Sequence, residues 1–340
     1  MNQPANQATA CANAMKSQPT ADATATTGAP ANAVPQSDII TGLIAPAASI
    51  SPKYFYDPLG SRLFEDITRL AEYYPTRTEQ GIFADHAADI ARSVGTGATL
   101  IDLGAGNCEK ASRLFETVRP AQYVAIDISA EFLDDALNDL RRRFPGTDML
   151  GLGMDFSASL VLPDTVSAAH RLFFYPGSSI GNFSPRGALA FVTNLRRQIV
   201  STDGNLTGGL LIGVDLVKHK SILEAAYDDS LGVTAAFNLN MLNHINALIG
   251  SDFSVGDWRH FACFNEAQSR IEMHLEARRD VIIHWPDGER RFRQGERIHT
   301  ENSYKYRLPD FHALLRQAGF GHIRTWTDTR EWFAVCHATP

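Results

Sequence analysis

One stretch, residues 99–110 (TLIDLGAGNCEK), constrains this chain more than any other. An apolar run ending in an acid (Leu100, Ile101, Asp102) meets Gly104-Ala105-Gly106, and a helical pattern carrying Lys110, Leu114 and Phe115 follows. That order reads as a buried parallel strand, a glycine turn and a helix N-terminus. Glycines let the backbone turn tightly and approach a ligand, while unpaired helix N–H groups face the gap. Many nucleotide binders share such a loop, so its meaning depends on what stands at the neighbouring strand ends.

The pattern predicts strands over residues 100–103, 123–128, 149–154, 171–175 and 210–215. Amphipathic helices such as 130–143 and 185–199 separate several of them. Short apolar strands with crossover helices imply an α/β fold with a parallel sheet, whose ligands bind beyond the carboxyl ends of the strands. Asp127 ends the second strand about 20 residues after the loop, where an acid can accept both ribose hydroxyls of an adenosine. Asp155-Phe156 ends the third, placed to pair with an adenine amino group and stack on its ring. Any one of these could be a solvated acid, but Asp102, Asp127 and Asp155 together favour a nucleoside-binding edge. A dinucleotide loop wants a third glycine three residues after the second. Glu109 stands there, with Lys110 beside it, which favours S-adenosylmethionine over NAD(P). Lys110 could meet that cofactor's carboxylate, or it could be an ordinary surface lysine.

Elsewhere the rhythm differs. Residues 1–37 are mostly Ala, Thr, Gln, Asn and Pro and predict a disordered tail, with order beginning near Asp38. Leu59, Leu63, Phe64, Ile67 and Leu70 share one helical face. After Glu72-Tyr73-Tyr74-Pro75, the spacing of Thr76 and Glu79 fits a capping box opening a helix through about Val94. Between residues 219 and 304 a long helical section (221–248) leads to strands 269–277 and 280–285, joined by a tight turn at Arg278-Arg279. A helix over 308–319 and strands over 323–327 and 332–337 then rejoin the first sheet. The expected division is a substrate-binding unit of mixed α+β structure (38–81 with 219–304) and a nucleoside-binding unit (82–218 with 305–340). The cleft between two such units is the default site.

Composition removes several alternatives. The net charge of −7 argues against nucleic-acid binding through bulk positive charge. No apolar run approaches roughly 18 residues, so no membrane span is expected. The tail lacks the basic start and apolar core of a signal peptide, and has no Arg for a mitochondrial presequence. Cys11, Cys108, Cys263 and Cys336 lie far apart and the histidines form no HExxH pair, so reduced thiols, a cytoplasmic location and no metal are expected.

Several long blocks resemble a known family. YFYDPLGSRLFEDITRLAEYYPTRTE, the glycine loop, PGSSIGNFSP, AYDDSLGVTAAFNLNMLNHIN, SRIEMHL and IHTENSYKY are similar to the histidine-specific Nα-methyltransferases of ergothioneine biosynthesis, over residues 38–340. The resemblance implies a Rossmann-like class I methyltransferase sheet, S-adenosylmethionine as cofactor, and L-histidine as a substrate converted to trimethylhistidine (hercynine). A monomer is expected. Position by position, Tyr56, Gly104, Gly106, Lys110, Asp127, Asp155 and Phe156 look like cofactor contacts. Asn182 and Tyr227 would hold the substrate's α-amino and carboxylate groups, and Tyr73, Glu301 and Ser303 its imidazole. Phe237 and Met273 match pocket walls. Tyr56, Asn182 and Tyr227 would be the groups nearest the chemistry.

The chemistry of those residue types agrees. A neutral imidazole has one donor and one acceptor nitrogen. A carboxylate accepting from one and a hydroxyl serving the other would read both, whereas indole, with a single N–H, would leave a polar partner unmatched. Without the resemblance, Glu301 reads as an exposed acid in a polar loop, Asn182 as a cap for the helix near Pro185, and the aromatics as core. His244, His260 and His284 read as structural or exposed. Relatives acting on other aromatic amino acids, an NAD(P)-dependent oxidoreductase and a non-catalytic nucleoside-binding module are the competing readings.

Overall fold

The structure, a computed structural model, describes residues 33–128, 130–157, 159–199 and 208–340. Most of the expected tail therefore lies outside the described residues, but its last part is helical: a helix runs over Ala33–Ile44.

Five apolar strands, β1 (Thr99–Leu103), β2 (Gln122–Asp127), β3 (Asp148–Gly153), β4 (Arg171–Tyr175) and β5 (Gly209–Asp215), pair in parallel. Each falls within a residue or so of its predicted place. The alternation of side chains explains why they read as continuous apolar runs. Ile101, Val124, Phe173 and Ile212 face one core, while Leu100, Tyr123, Leu172 and Leu211 face another on the opposite side of the sheet. Burial on both faces is what a parallel sheet under crossover helices demands.

Five further strands follow: β6 (Trp258–Asn265), β7 (Arg270–Ala277), β8 (Val281–Trp285), β9 (Gly288–Phe292) and β10 (Arg297–Tyr304). The chain then adds β11 (His322–Thr327) and β12 (Phe333–Thr339) to the first sheet, in the order β11-β12-β5-β4-β1-β2-β3. β12 runs antiparallel to β5 and to β11. The order reverses between β1 and β4, so the crevice at their carboxyl ends is where a ligand belongs.

The five middle strands make two small sheets, β10-β7-β6 and the hairpin β8-β9. A third core beneath them joins Ile39, Phe55 and Tyr74 to Met241, Trp258, Met273 and Ile298. Four local readings need correction. The strand at 280–285 does not pair with its predecessor; Trp285 turns back through a hairpin onto β9. The predicted helix 221–248 is two, Lys220–Ala225 and Val233–Ile249. Asp229 breaks it, because its carboxylate accepts the backbone N–H groups of Leu231, Val233 and Thr234 and so caps the second helix. The capping box at Thr76 does not form: that helix opens at Tyr74 with Pro75 in its first turn, and Glu79 turns inward. It also stops at Asp85, and a separate helix covers Ala87–Val94. Among the described residues no helix is long and apolar enough to cross a membrane, and no group of His, Cys, Asp and Glu could hold a metal ion.

Candidate active site

The loop after β1 adopts left-handed backbone at Gly104 (φ +76°) and Gly106 (φ +51°), a conformation that favours glycine. A Cβ at Gly106 would meet nothing within 4 Å, so the loop leaves open space there. The loop is tied to β2: the N–H groups of Gly104 and Ala105 donate to the Ile126 carbonyl at 2.8 and 3.0 Å. That of Gly106 donates to the Asp127 carboxylate at 3.0 Å. Phe156 lies close by, 3.8 Å from where a Gly104 Cβ would stand. Asp155 accepts from the Ser157 N–H at 3.1 Å. A glycine cradle with an open face, an acid tied to it and an aromatic ring beside it fit an adenosyl group.

Two expected members of this edge behave differently. Asp102 does not face the crevice: it is buried under the loop, 2.8 Å from the Tyr123 hydroxyl, and burial pushes its carboxyl up to about 7. Lys110 is not an ordinary surface lysine. Its ammonium lies 2.8 Å from Glu79, a buried carboxylate whose other oxygen accepts the Gly177 N–H at 2.7 Å. Glu79 thereby bridges the loops after β1 and β4, a role that its sequence spacing, which suggested a helix cap, does not reveal.

Across the crevice lies a cavity enclosing about 510 Å³ of non-protein space, its open mouth included. Tyr56, Tyr73, Asn182 and Tyr227 all line it, as do Phe237, Met273, Glu301 and Ser303. These eight residues come from elements scattered over nearly 250 positions, and each arrives for a local reason. Asn182 ends a short 3-10 turn after β4, and Ser184, not Asn182, caps the helix Pro185–Gln198. Phe237 is carried by the helix that Asp229 caps, and it stacks on Phe55 at 4.5 Å. Glu301 and Ser303 sit two apart on β10 and so share a face of the strand. The ladder with β7 slips between His299 and Glu301, and Glu301 comes opposite Met273, another cavity residue. Such a bulge re-aims the side chains beyond it.

The cavity's titratable groups are held in their neutral or marginal forms. Burial pushes the Glu301 carboxyl up to about 7, against the opposing pull of Lys305 and a hydrogen bond from Asn182. Burial, then the negative field of Glu301, drives the Tyr56 phenol well above its ordinary value. Tyr73 and Tyr227 are raised in the same way. All three are therefore hydroxyls at neutral pH. As a hydroxyl, Tyr56 can accept a hydrogen bond from an amine but is a poor group to remove its proton.

Known proteins resemble this chain over most of its length. A model of the family described as histidine-specific methyltransferase, SAM-dependent, matches residues 35–340. The chain belongs to this family. Among its relatives, the methyltransferase is 38% identical to the histidine N-alpha-methyltransferase of Mycolicibacterium smegmatis over 297 residues, 86% of this chain and 90% of that one. The Mycobacterium tuberculosis protein of the same name matches to the same extent. Ergothioneine biosynthesis protein 1 of Neurospora crassa is 32% identical over 82% of this chain, which covers 32% of that longer protein.

Behind the cavity the methyltransferase carries a buried charge cluster that the sequence reading missed. Asp215, at the end of β5, meets Lys218 at 2.5 Å and Lys305 at 2.8 Å, all three nearly inaccessible. The Tyr74 hydroxyl donates to Asp215 at 2.6 Å. Burial raises the Asp215 carboxyl, but the two lysines outweigh it and hold the group below its ordinary value. Burial pushes the Lys218 ammonium down to about 8. A signal for Lys305 was available: Glu301, Ser303 and Lys305 are spaced i, i+2 and i+4, one face of a strand.

Proposed function

We propose that this methyltransferase methylates the α-amino group of L-histidine, with successive transfers giving the trimethylated betaine. The observation that carries the reading is the pairing of Glu301 with Ser303 on one face of β10, inside a cavity that Tyr56 also lines. We further propose that the chain works as a monomer in the cytoplasm. In this division a catalytic unit (82–218 with 305–340) holds the cofactor, and a substrate unit (38–81 with 219–304) presents the amino acid.

Residues Gly104, Gly106, Lys110, Asp127, Asp155 and Phe156 would hold S-adenosylmethionine, which when bound supplies an electrophilic methyl group on a sulfonium. This chain's residues do the rest. Glu301 accepts from one imidazole nitrogen, and Ser303 serves the other. Tyr73 adds a hydroxyl above the ring, while Phe237 and Met273 enclose it. The hydrogen bonds between Asn182 and Glu301 and between Tyr227 and Ser303 support a compact pose, with the ring and backbone ends of the substrate held by neighbouring groups. Asn182 and Tyr227 then hold its α-amino and carboxylate groups. The attacking amine must carry a free lone pair, and with Tyr56 kept as a hydroxyl its proton leaves to water. Tyr56 orients the neutral amine by accepting one of its N–H groups. Holding amine and methyl group in line within a water-poor cleft supplies much of the acceleration. The faces of Tyr56, Phe64 and Phe237, packed within about 6 Å of one another, favour the growing cation as methyl groups accumulate.

A mass-spectrometric screen of free amino acids with S-adenosylmethionine tests the reading. Products one, two and three methyl groups heavier are expected from histidine. Turnover of a different amino acid, with histidine untouched, would reject the substrate. Tight nicotinamide cofactor binding without S-adenosylmethionine binding would reject the reaction class.

A further inference from the structure

We infer that Lys305 is a positioning residue that makes the Tyr227–Ser303 pair a hydrogen-bond donor toward the cavity, so that the site takes a substrate ring through a lone pair at that point. The inference rests on the proposed reading that this cavity holds the amino acid's ring.

A lysine ammonium has three N–H donors and no acceptor. Lys305 uses all three: Asp215 at 2.8 Å, the Ser303 hydroxyl at 2.8 Å and the Tyr227 hydroxyl at 3.1 Å. Its side chain is 1% exposed, so no water competes for these bonds. The two hydroxyl oxygens are themselves 2.7 Å apart, which means that one donates to the other. Between them they own two hydrogens and four lone pairs. Lys305 occupies two lone pairs, and the mutual bond consumes one hydrogen and one lone pair. One hydrogen and one lone pair remain. With Tyr227 donating to Ser303, the lone pair is Tyr227's and the hydrogen is Ser303's, which cannot turn back toward an ammonium. Tyr227 and Ser303 both line the cavity, so that hydrogen points inside. The adjacent positive charge also polarises both hydroxyls, which strengthens donation over acceptance.

Opposite charge chemistry stands two residues away. Glu301 accepts and the Tyr227–Ser303 pair donates, so together they match a neutral imidazole with one N–H and one bare nitrogen. An imidazolium would bring a second N–H against a donor, and a ring without the bare nitrogen would leave the buried hydroxyl hydrogen unpaired. Both losses are of the kind by which polar sites discriminate strongly. Asp215 anchors the device. Because Lys218 and the Tyr74 hydroxyl also contact it, Asp215 stays partnered when Lys305 is replaced, and the fold is expected to survive the change.

The test is a double-substitution cycle on amino-acid affinity, read by calorimetric titration of histidine into enzyme saturated with S-adenosylhomocysteine. Lys305→Met is expected to weaken histidine binding about ten- to a hundredfold, the cost of losing a charge-assisted hydrogen bond. In a Ser303→Ala background the same substitution should cost less than about threefold, because the group through which it acts is gone. Affinity for S-adenosylhomocysteine should stay within about twofold throughout. Lys305→Gln, which keeps the volume without the charge, is run beside it in case Lys305→Met does not fold. A folded variant of either kind that binds histidine as wild type does, or losses that multiply fully in the double variant, would overturn the inference. If the screen above selects another amino acid, the cycle is run on that one, so failure of the substrate reading and failure of this one give different results.

Discussion

The two halves of the site are built in opposite ways. At the cofactor edge the working parts are largely backbone: a glycine loop of a few consecutive residues, fastened to β2 by three N–H bonds, with one acid and one ring beside it. In the substrate cavity the working parts are side chains from Tyr56 to Ser303, and their poise depends on a buried cluster of two lysines and one aspartate. Local backbone tolerates changes around it and specifies a cofactor common to many enzymes. Dispersed side chains in a buried cavity specify one substrate, and each is sensitive to what stands behind it.

Substitutions on each side should separate the two halves. The largest effect is expected for Glu301→Ala, which removes the ring acceptor from a buried site. Histidine kcat/KM should fall about a hundredfold or more, while affinity for S-adenosylmethionine stays within about twofold; equal loss of both would place Glu301 elsewhere. The mirror experiment is Asp127→Ala. It should weaken S-adenosylmethionine about tenfold and leave the preference for histidine over phenylalanine unchanged, a ratio obtained by competition at saturating cofactor.

A smaller effect concerns pH. The Glu301 carboxyl titrates at about 7 in the folded protein, above its ordinary 4.5, because burial disfavours the charge. A raised carboxyl stabilises the ligand-free fold fully below about pH 4.5, and that contribution is lost as pH rises through about 7. Glu301→Gln removes the loss. The variant's Tm should therefore gain on wild type by about 2–4 °C between pH 5 and pH 8, with no gain below pH 4.5. Histidine kcat/KM of the wild type is expected to rise near pH 7 as Glu301 ionises, and the variant should lack that rise. A Tm difference that ignores pH would mean that Glu301 faces water.

The same contrast explains what could be read from the chain alone. The parallel sheet was legible because strands buried on both faces leave apolar runs, and the glycine loop because its residues are adjacent. Asp127 followed from its distance to the loop. Glu301 and Ser303 were reached through the likeness of IHTENSYKY to a family, since without it the block reads as a polar loop, not as the strand β10. Strand β6 was missed: its positions from His260 onward are all half-buried, which blurs the period of two. Asp229 hid a helix break inside an apolar helical pattern, because capping replaces a propensity signal by a single side chain. Glu79 read as a helix cap because its actual partners lie 31 and 98 positions away. Asp215 and Lys218 are only three residues apart, but Lys305, which completes their cluster, comes from beyond β10.

The most direct measurement is a crystal structure of the enzyme with S-adenosylhomocysteine and L-histidine. The adenosine is expected beside Gly104 and Asp127, with the imidazole between Glu301 and Ser303 and the α-amino group turned toward the sulfur. Adenosine bound away from the β1 loop, or an imidazole ring outside the Glu301 cavity, would contradict it.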